Sequence, residues 1–107
     1  MNTLKRDNSG AVHIKPLSEG GFSVSGALTF ETVPALAHDS ASVLSGGGDI
    51  NLDLQGISHA DSAGLALLIE WMRTARAQEK GIVFKNVPPQ MLAMATMSGL
   101  ENILPTA

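Results

Sequence analysis

The chain contains no cysteine, and only seven of its 107 residues are lysine or arginine. Without cysteine there is no disulfide framework, no thiolate nucleophile and no cysteine-ligated zinc site. With a formal net charge of -3, the basic residues are too few to form a surface dense enough to hold a nucleic-acid backbone. We therefore expect no nucleic-acid partner.

Long apolar runs are also missing. No stretch reaches the length that crosses a bilayer, and the polar start MNTLKRDNSG is not followed by the apolar segment of a signal peptide. Hydrophobic residues still make up 44% of the chain against 16% charged residues, which is enough to bury one core. We expect residues 1–10 to be a flexible N-terminal segment and residues 11–107 to form a single cytoplasmic domain that reaches a membrane only through a partner.

Hydrophobic periodicity predicts seven elements in the order β-β-α-β-α-β-α. Two strands of a hairpin flank the turn at 18–21, helices are predicted over 29–44, 62–78 and 88–99, and the strands INLDLQGI and IVFKNV lie between the helices. Since a helix between two strands is a crossover connection, the last two strands should be parallel. This predicts an α/β fold, a mixed sheet of about four strands with helices mainly on one face.

The segment HADSAGLALLIEW, residues 59–71, carries the most distinctive chemistry. As a variant of the G-x-S-x-G nucleophile elbow, it makes Ser62 a candidate nucleophile. However, all three histidines precede Ser62, the chain is short for a hydrolase, and a strand end near Leu54 or Gln55 would leave a loop instead of a sharp elbow. We therefore expect no enzyme and no catalytic residue.

At the start of a helix, Asp61 or Ser62 is expected to cap the first turn by accepting a hydrogen bond from an unpaired amide. Gly64 lowers helix stability, so the small pair Ala63 and Gly64 indicates close approach of another backbone or a bulky group. The helix dipole would tolerate a phosphoryl group on Ser62, although Asp61 would repel it. A cap, a phosphate acceptor and a contact surface all remain open.

Weaker candidates lie elsewhere. Gly46-Gly47-Gly48 lacks the Gly-Lys-Ser/Thr that would complete a phosphate-binding P-loop. His13 and His38 have no neighbouring ligand pair, so we expect no metal site and no cofactor. Trp71 lies off the centre of its helix's apolar stripe, and it is expected either in the core or as a partly exposed anchor for a partner. Three methionines repeat every third residue along the last helix, which is typical of core filling or of a partner surface: Met91, Met94 and Met97.

Four features occur together: the hairpin, the strand INLDL, the run from His59 to Leu65 and the βα unit after it. Together they resemble a STAS domain over roughly residues 11–104. The most specific part is Asp61-Ser62-Ala63-Gly64-Leu65, which looks like the family's D-[ST]-x-G-[LI] signature at the start of its second main helix. In the anti-sigma-factor antagonists of this family, a partner anti-sigma-factor kinase phosphorylates the residue that matches Ser62. The resemblance therefore implies a possible phosphorylation switch.

The continuation Leu65-Ala66-Leu67-Leu68 followed by Trp71 is closer to the MlaB-like branch, the STAS subunit of the Mla phospholipid ABC transporter. In that branch the subunit binds the cytoplasmic ATPase at the inner membrane. Ala63 also stands where antagonists commonly carry a second Ser or Thr. The resemblance implies a non-enzymatic regulatory subunit for phospholipid transport, with the antagonist switch as the alternative, and a partner surface formed by Ser58, His59, Asp61, Ser62, Ala63, Gly64 and Trp71.

Overall fold

The computed structural model describes residues 12–18 and 20–106. The predicted flexible segment 1–10 lies outside the described residues. Eight elements follow one another in the order β1 (His13–Pro16), β2 (Phe22–Leu28), α1 (Val33–Asp39), α2 (Ala41–Leu44), β3 (Ile50–Ala60), α3 (Ser62–Ala77), β4 (Ile82–Lys85) and α4 (Pro89–Met97).

The four strands form one mixed sheet in the order β1-β2-β3-β4. β1 pairs with β2 antiparallel, whereas β2 with β3 and β3 with β4 are parallel pairs. The antiparallel hairpin beside a parallel βαβ unit confirms the predicted topology. The last segment of the chain extends the β4 edge, where the N–H of Phe84 donates to the carbonyl of Pro105 over 2.9 Å.

One face of the sheet is apolar and carries the core. Along β3 and β4 the inward residues alternate with exposed or half-exposed neighbours, as expected for a sheet covered on one side. The helices supply the opposing apolar residues, and the side chains that are most completely enclosed include Trp71, Phe84, Leu28, Leu52, Leu54, Leu68 and Met91.

The predicted helix over 29–44 is divided. Residues 29–32 form a tight loop in which the Thr32 hydroxyl accepts from the N–H of Thr29 at 3.0 Å and donates to the carbonyl of Ala27 at 2.6 Å. Helix α1 starts only at Val33, and Ser40 separates it from the single turn of α2. A hydroxyl that bonds nearby backbone offers the chain an alternative to the helix, which explains the late start.

β3 is longer than the sequence predicted, and the expected strand end near Leu54 or Gln55 is wrong. Two irregularities interrupt its pairing with β2, each adding one residue on β3, so that buried residues recur at Leu54, Ile57 and Ala60. Bulges of this kind break the period of two that marks a strand in a sequence. As a result Asp61 alone separates the sheet from α3.

Candidate functional site

Ser62 is the first residue of α3, and its side chain is exposed at the end of the parallel strands. Its hydroxyl makes no hydrogen bond to the described part of the chain. Of the two candidate caps, Asp61 is the one used: it has extended backbone, and its Oδ1 accepts from the N–H of Ala63 over 2.8 Å. The Ser62 hydroxyl therefore remains available to another molecule.

Asp61 also ties the start of α3 to the loop that follows β2. Its Oδ2 accepts from the N–H of Phe30 over 3.1 Å, and its own N–H donates to the carbonyl of Leu28 over 3.0 Å. A single carboxylate thus holds two segments that are 31 residues apart in the sequence. This arrangement fixes the loop of residues 29–32 beside Ser62.

Phe30, at the tip of this loop, is a candidate that the sequence analysis missed. Its side chain is 70% exposed, which is unusual for an aromatic residue on an ordered loop. Local periodicity did not single it out, because Phe30, Val33 and Ala37 follow the i, i+3, i+7 spacing of an apolar helix face, and a helix was predicted there. Exposed aromatic residues are the typical anchors of protein interfaces.

The end of β3 completes the surface. Ser58 and His59 are both exposed, since the second irregularity of β3 turns this pair away from the core. We call Phe30, Ser58, His59 and Ser62 the Ser62 surface. Although His59 and Ser62 share it, no hydrogen bond joins them within the described residues.

Gly64 was predicted to be part of the partner surface, but it is buried and does not belong to the Ser62 surface. A Cβ at this position would lie 2.9 Å from the Cβ of Leu28 and 3.1 Å from its carbonyl oxygen. Ala63 is half-buried. The close approach that the small pair indicated is therefore made within the chain, where α3 packs onto the end of β2.

Replacing Gly64 by alanine is expected to lower the free energy of unfolding by about 1–2 kcal/mol. The overpacking against Leu28 costs about 1–3 kcal/mol, which outweighs the gain of up to about 1 kcal/mol in helix propensity. Gly47→Ala is the matched control, because no atom lies within 4 Å of its added Cβ. Urea unfolding measures both variants, and a neutral or stabilised Gly64→Ala would contradict the packing.

Trp71 is also absent from the Ser62 surface: of the two positions expected for it, the core and a partly exposed anchor, the structure shows the core. It is 2% exposed, and its Nε1–H donates to the hydroxyl of Ser40 over 2.9 Å. That hydroxyl in turn donates to the carbonyl of Ala37. Because Trp71 joins α3 to the junction of α1 and α2, its role is to hold these helices together.

The pKa of the Asp53 carboxyl is lowered. The side-chain amide of Asn86 and the N–H of Gln55 donate to its Oδ1 and hold the pKa below the usual 3.8. These contacts lie where β4 ends, away from Ser62.

Among residues 12–18 and 20–106, no group of three or more His, Asp or Glu is placed to hold a metal ion. Within the same ranges, no helix has the length and apolarity needed to cross a membrane.

A family model described as "Mlab, STAS domain" matches residues 15–105 of the chain. No curated protein matches the sequence. Among solved structures, the fold is similar to an anti-sigma-factor antagonist (STAS) domain protein from Planctomyces limnophilus, with a TM-score of 0.71, 14% identity and coverage of 90% of this chain and 88% of that one.

Two further structures share the fold. The anti-sigma-factor antagonist SpoIIAA in its unphosphorylated form gives a TM-score of 0.68 at 18% identity, covering 90% of this chain and 87% of that one. The murine Solute Carrier 26 family member A9 anion transporter in its inward-facing state gives 0.64 at 18% identity, covering 85% of this chain but 14% of that one. One architecture therefore occurs in antagonists and within a transporter chain.

Proposed function

This chain belongs to the STAS domain family, since the "Mlab, STAS domain" model covers residues 15–105, and from that premise we propose that it is a non-enzymatic subunit that binds the ATPase of an ABC transporter for phospholipids. Its place would be the cytoplasmic side of the inner membrane. The observation that carries the proposal is the Ser62 surface, where an exposed aromatic side chain and an unbonded hydroxyl stand on one fixed framework.

The Ser62 surface has the physical features of a docking site. Phe30 offers a large apolar side chain to a pocket on the partner, and the Ser62 hydroxyl can donate or accept beside it. Asp61 fixes both segments before the partner arrives, so little conformational entropy is lost on binding. These features favour a stable subunit contact, and the MlaB-type family match favours a transporter ATPase as the partner.

Ser62→Asp is expected to weaken ATPase binding at least tenfold, about 1.4 kcal/mol. A carboxylate buried at the interface without a partner cation loses its hydration. The fold should remain intact, because an acidic residue at a helix N-terminus interacts favourably with the helix dipole. Affinity purification of tagged protein from its own membranes, with quantitative mass spectrometry, measures the ATPase recovered.

Gln78→Glu is the matched control, because it adds the same charge in an exposed position just past the opposite end of α3. It should recover as much ATPase as the wild type. Equal recovery with Ser62→Asp would remove Ser62 from the interface. If the wild type recovers no ATPase, the proposed function itself is wrong.

The alternative is an anti-sigma-factor antagonist switched by phosphorylation of Ser62. It is supported by the fold shared with SpoIIAA and by the exposed, unbonded hydroxyl at a helix N-terminus, where the helix dipole favours a negative group. In the same purification it predicts recovery of a kinase instead of an ATPase. Ser62 would then gain one phosphate when ATP is supplied, and Ser62→Ala would gain none.

A further inference from the structure

Helix α4 and its flanks carry no charge. Residues 87–100 contain none of the chain's Lys, Arg, Asp or Glu residues. The three methionines spaced by three do not share one environment: Met91 is buried, Met94 is half-buried and Met97 is 87% exposed. At 3.6 residues per turn, the six-residue step from the first to the last turns the side chain by about 120°, which carries Met97 out of the core. Met97 therefore projects from an uncharged helix end.

A small apolar cavity lies between α3 and the segment that follows α4, where Ile103 is six residues beyond Met97 in the sequence. Its volume is about 150 Å³, and it is lined by Ile69, Met72, Arg73, Arg76 and Ile103. Apolar cavities of about this size take up a benzene-sized group. The end of a methionine side chain is of similar size. Three of the lining residues are apolar, and both arginines are exposed.

We propose that this face binds a second copy of the chain, with Met97 of each copy entering the cavity of the other across a twofold axis. In such an interface the same patch occurs on both sides, so it must be complementary to itself. A projecting Met97 and a cavity of matching size meet that requirement, and methionine adapts well to an irregular cavity. Ile103, which is 53% exposed, adds apolar area beside it.

The charges also favour a second copy as the occupant. Two chains of net charge -3 repel each other in general, but residues 87–100 add no charge to the contact. At its margin Arg76 is exposed and makes no ion pair within the described chain, and Glu101 is exposed just beyond α4. A twofold arrangement places the arginine of one copy near the glutamate of the other.

The self-association face is separate from the Ser62 surface. Met72 lies ten residues along α3 from Ser62, which is about 15 Å at 1.5 Å per residue. A dimer formed through α4 therefore leaves both Ser62 surfaces free for partners. Dimer formation is therefore independent of the proposed function.

Sedimentation velocity of the purified full chain, over about two orders of magnitude in concentration up to the high micromolar range, tests the proposal. The wild type is expected to show a concentration-dependent equilibrium between monomer and dimer. Met97→Lys should raise the dissociation constant at least tenfold, since it brings an ammonium group into a cavity lined by apolar side chains and by Arg73 and Arg76. Met97→Leu should change it less than about threefold, because the side chain stays apolar. Circular dichroism confirms that each variant is folded.

A charge exchange tests the twofold arrangement itself. Arg76→Glu should weaken the dimer, and combining it with Glu101→Arg should restore it. Phe30→Ser, on the Ser62 surface, should leave the dissociation constant unchanged. A monomer at every concentration, a dimer indifferent to Met97→Lys, or a charge exchange that restores nothing would overturn the proposal.

Discussion

Trp71→Ala is expected to lower the free energy of unfolding by about 3–5 kcal/mol, because truncating a buried tryptophan removes its transfer energy and leaves a large cavity. Trp71 is 2% exposed and is among the largest enclosed side chains of the core. A domain of this size is stable by about 5–15 kcal/mol in total. The variant should therefore unfold at a much lower urea concentration, and part of it should be unfolded without denaturant if the wild type lies at the lower end of that range.

Two milder variants separate the packing of Trp71 from its hydrogen bond. Ser40→Ala leaves the buried Nε1–H without its acceptor and should cost about 1–3 kcal/mol. Trp71→Phe removes the donor, whereas the Ser40 hydroxyl keeps its bond to the carbonyl of Ala37. In a double-mutant cycle the two should couple by about 0.5–3 kcal/mol.

Urea unfolding followed by far-UV circular dichroism measures the Trp71 series, since Trp71 is the chain's single tryptophan and its fluorescence is lost in the variants. A loss below about 1 kcal/mol in Trp71→Ala would contradict its place in the core. Weaker partner binding by Trp71→Phe at unchanged stability would instead support the contact role predicted from the sequence.

The sequence predicted the elements whose periodicity is unbroken. The stripe of α3 and the alternation at the start of β3 each follow from one repeating contact with one apolar face. The second half of β3 could not be read in this way. Leu54-Gln55 lie opposite Val24 alone and Ser58-His59 opposite Ala27 alone, so the alternation disappears although the strand continues to Ala60.

The candidate site was predicted only in part, because some of its contacts join residues that are far apart in the sequence. Asp61 and Ser62 were found because a cap and its helix are neighbours in the sequence. The bond from Asp61 to the N–H of Phe30 joins residues 31 apart, which no local pattern reveals. Gly64 was correctly interpreted as a point of close approach, but the sequence does not show that Leu28 of the same chain is what approaches.

Asp61→Ala is expected to lower the free energy of unfolding by about 2–3 kcal/mol. Loss of the cap on α3 costs about 1 kcal/mol. Loss of the charged acceptor for the N–H of Phe30 adds about 1.5 kcal/mol, toward the lower end of its range because that bond is exposed. Both losses come from one side chain, so the variant should also free the loop of residues 29–32 and weaken partner binding through Phe30.

Asp61→Asn separates the two roles. Its side-chain oxygen can still accept from the N–H of Ala63, because asparagine caps helices about as well as aspartate. Its amide nitrogen then takes the place of Oδ2 and presents a donor to the N–H of Phe30, which is also a donor. This variant should cost about 1.5 kcal/mol or less, mostly from the loop.

Hydrogen exchange followed by mass spectrometry, together with partner recovery, tests the Asp61 variants. In Asp61→Asn the amides of residues 29–32 should exchange faster while the first turn of α3 stays protected, and less partner should be recovered than with the wild type. That combination would show that the orientation of Phe30, and not the stability of α3, governs binding. Unchanged exchange at residues 29–32 would mean that Thr32, through its bonds to Thr29 and Ala27, is sufficient to hold the loop without Asp61.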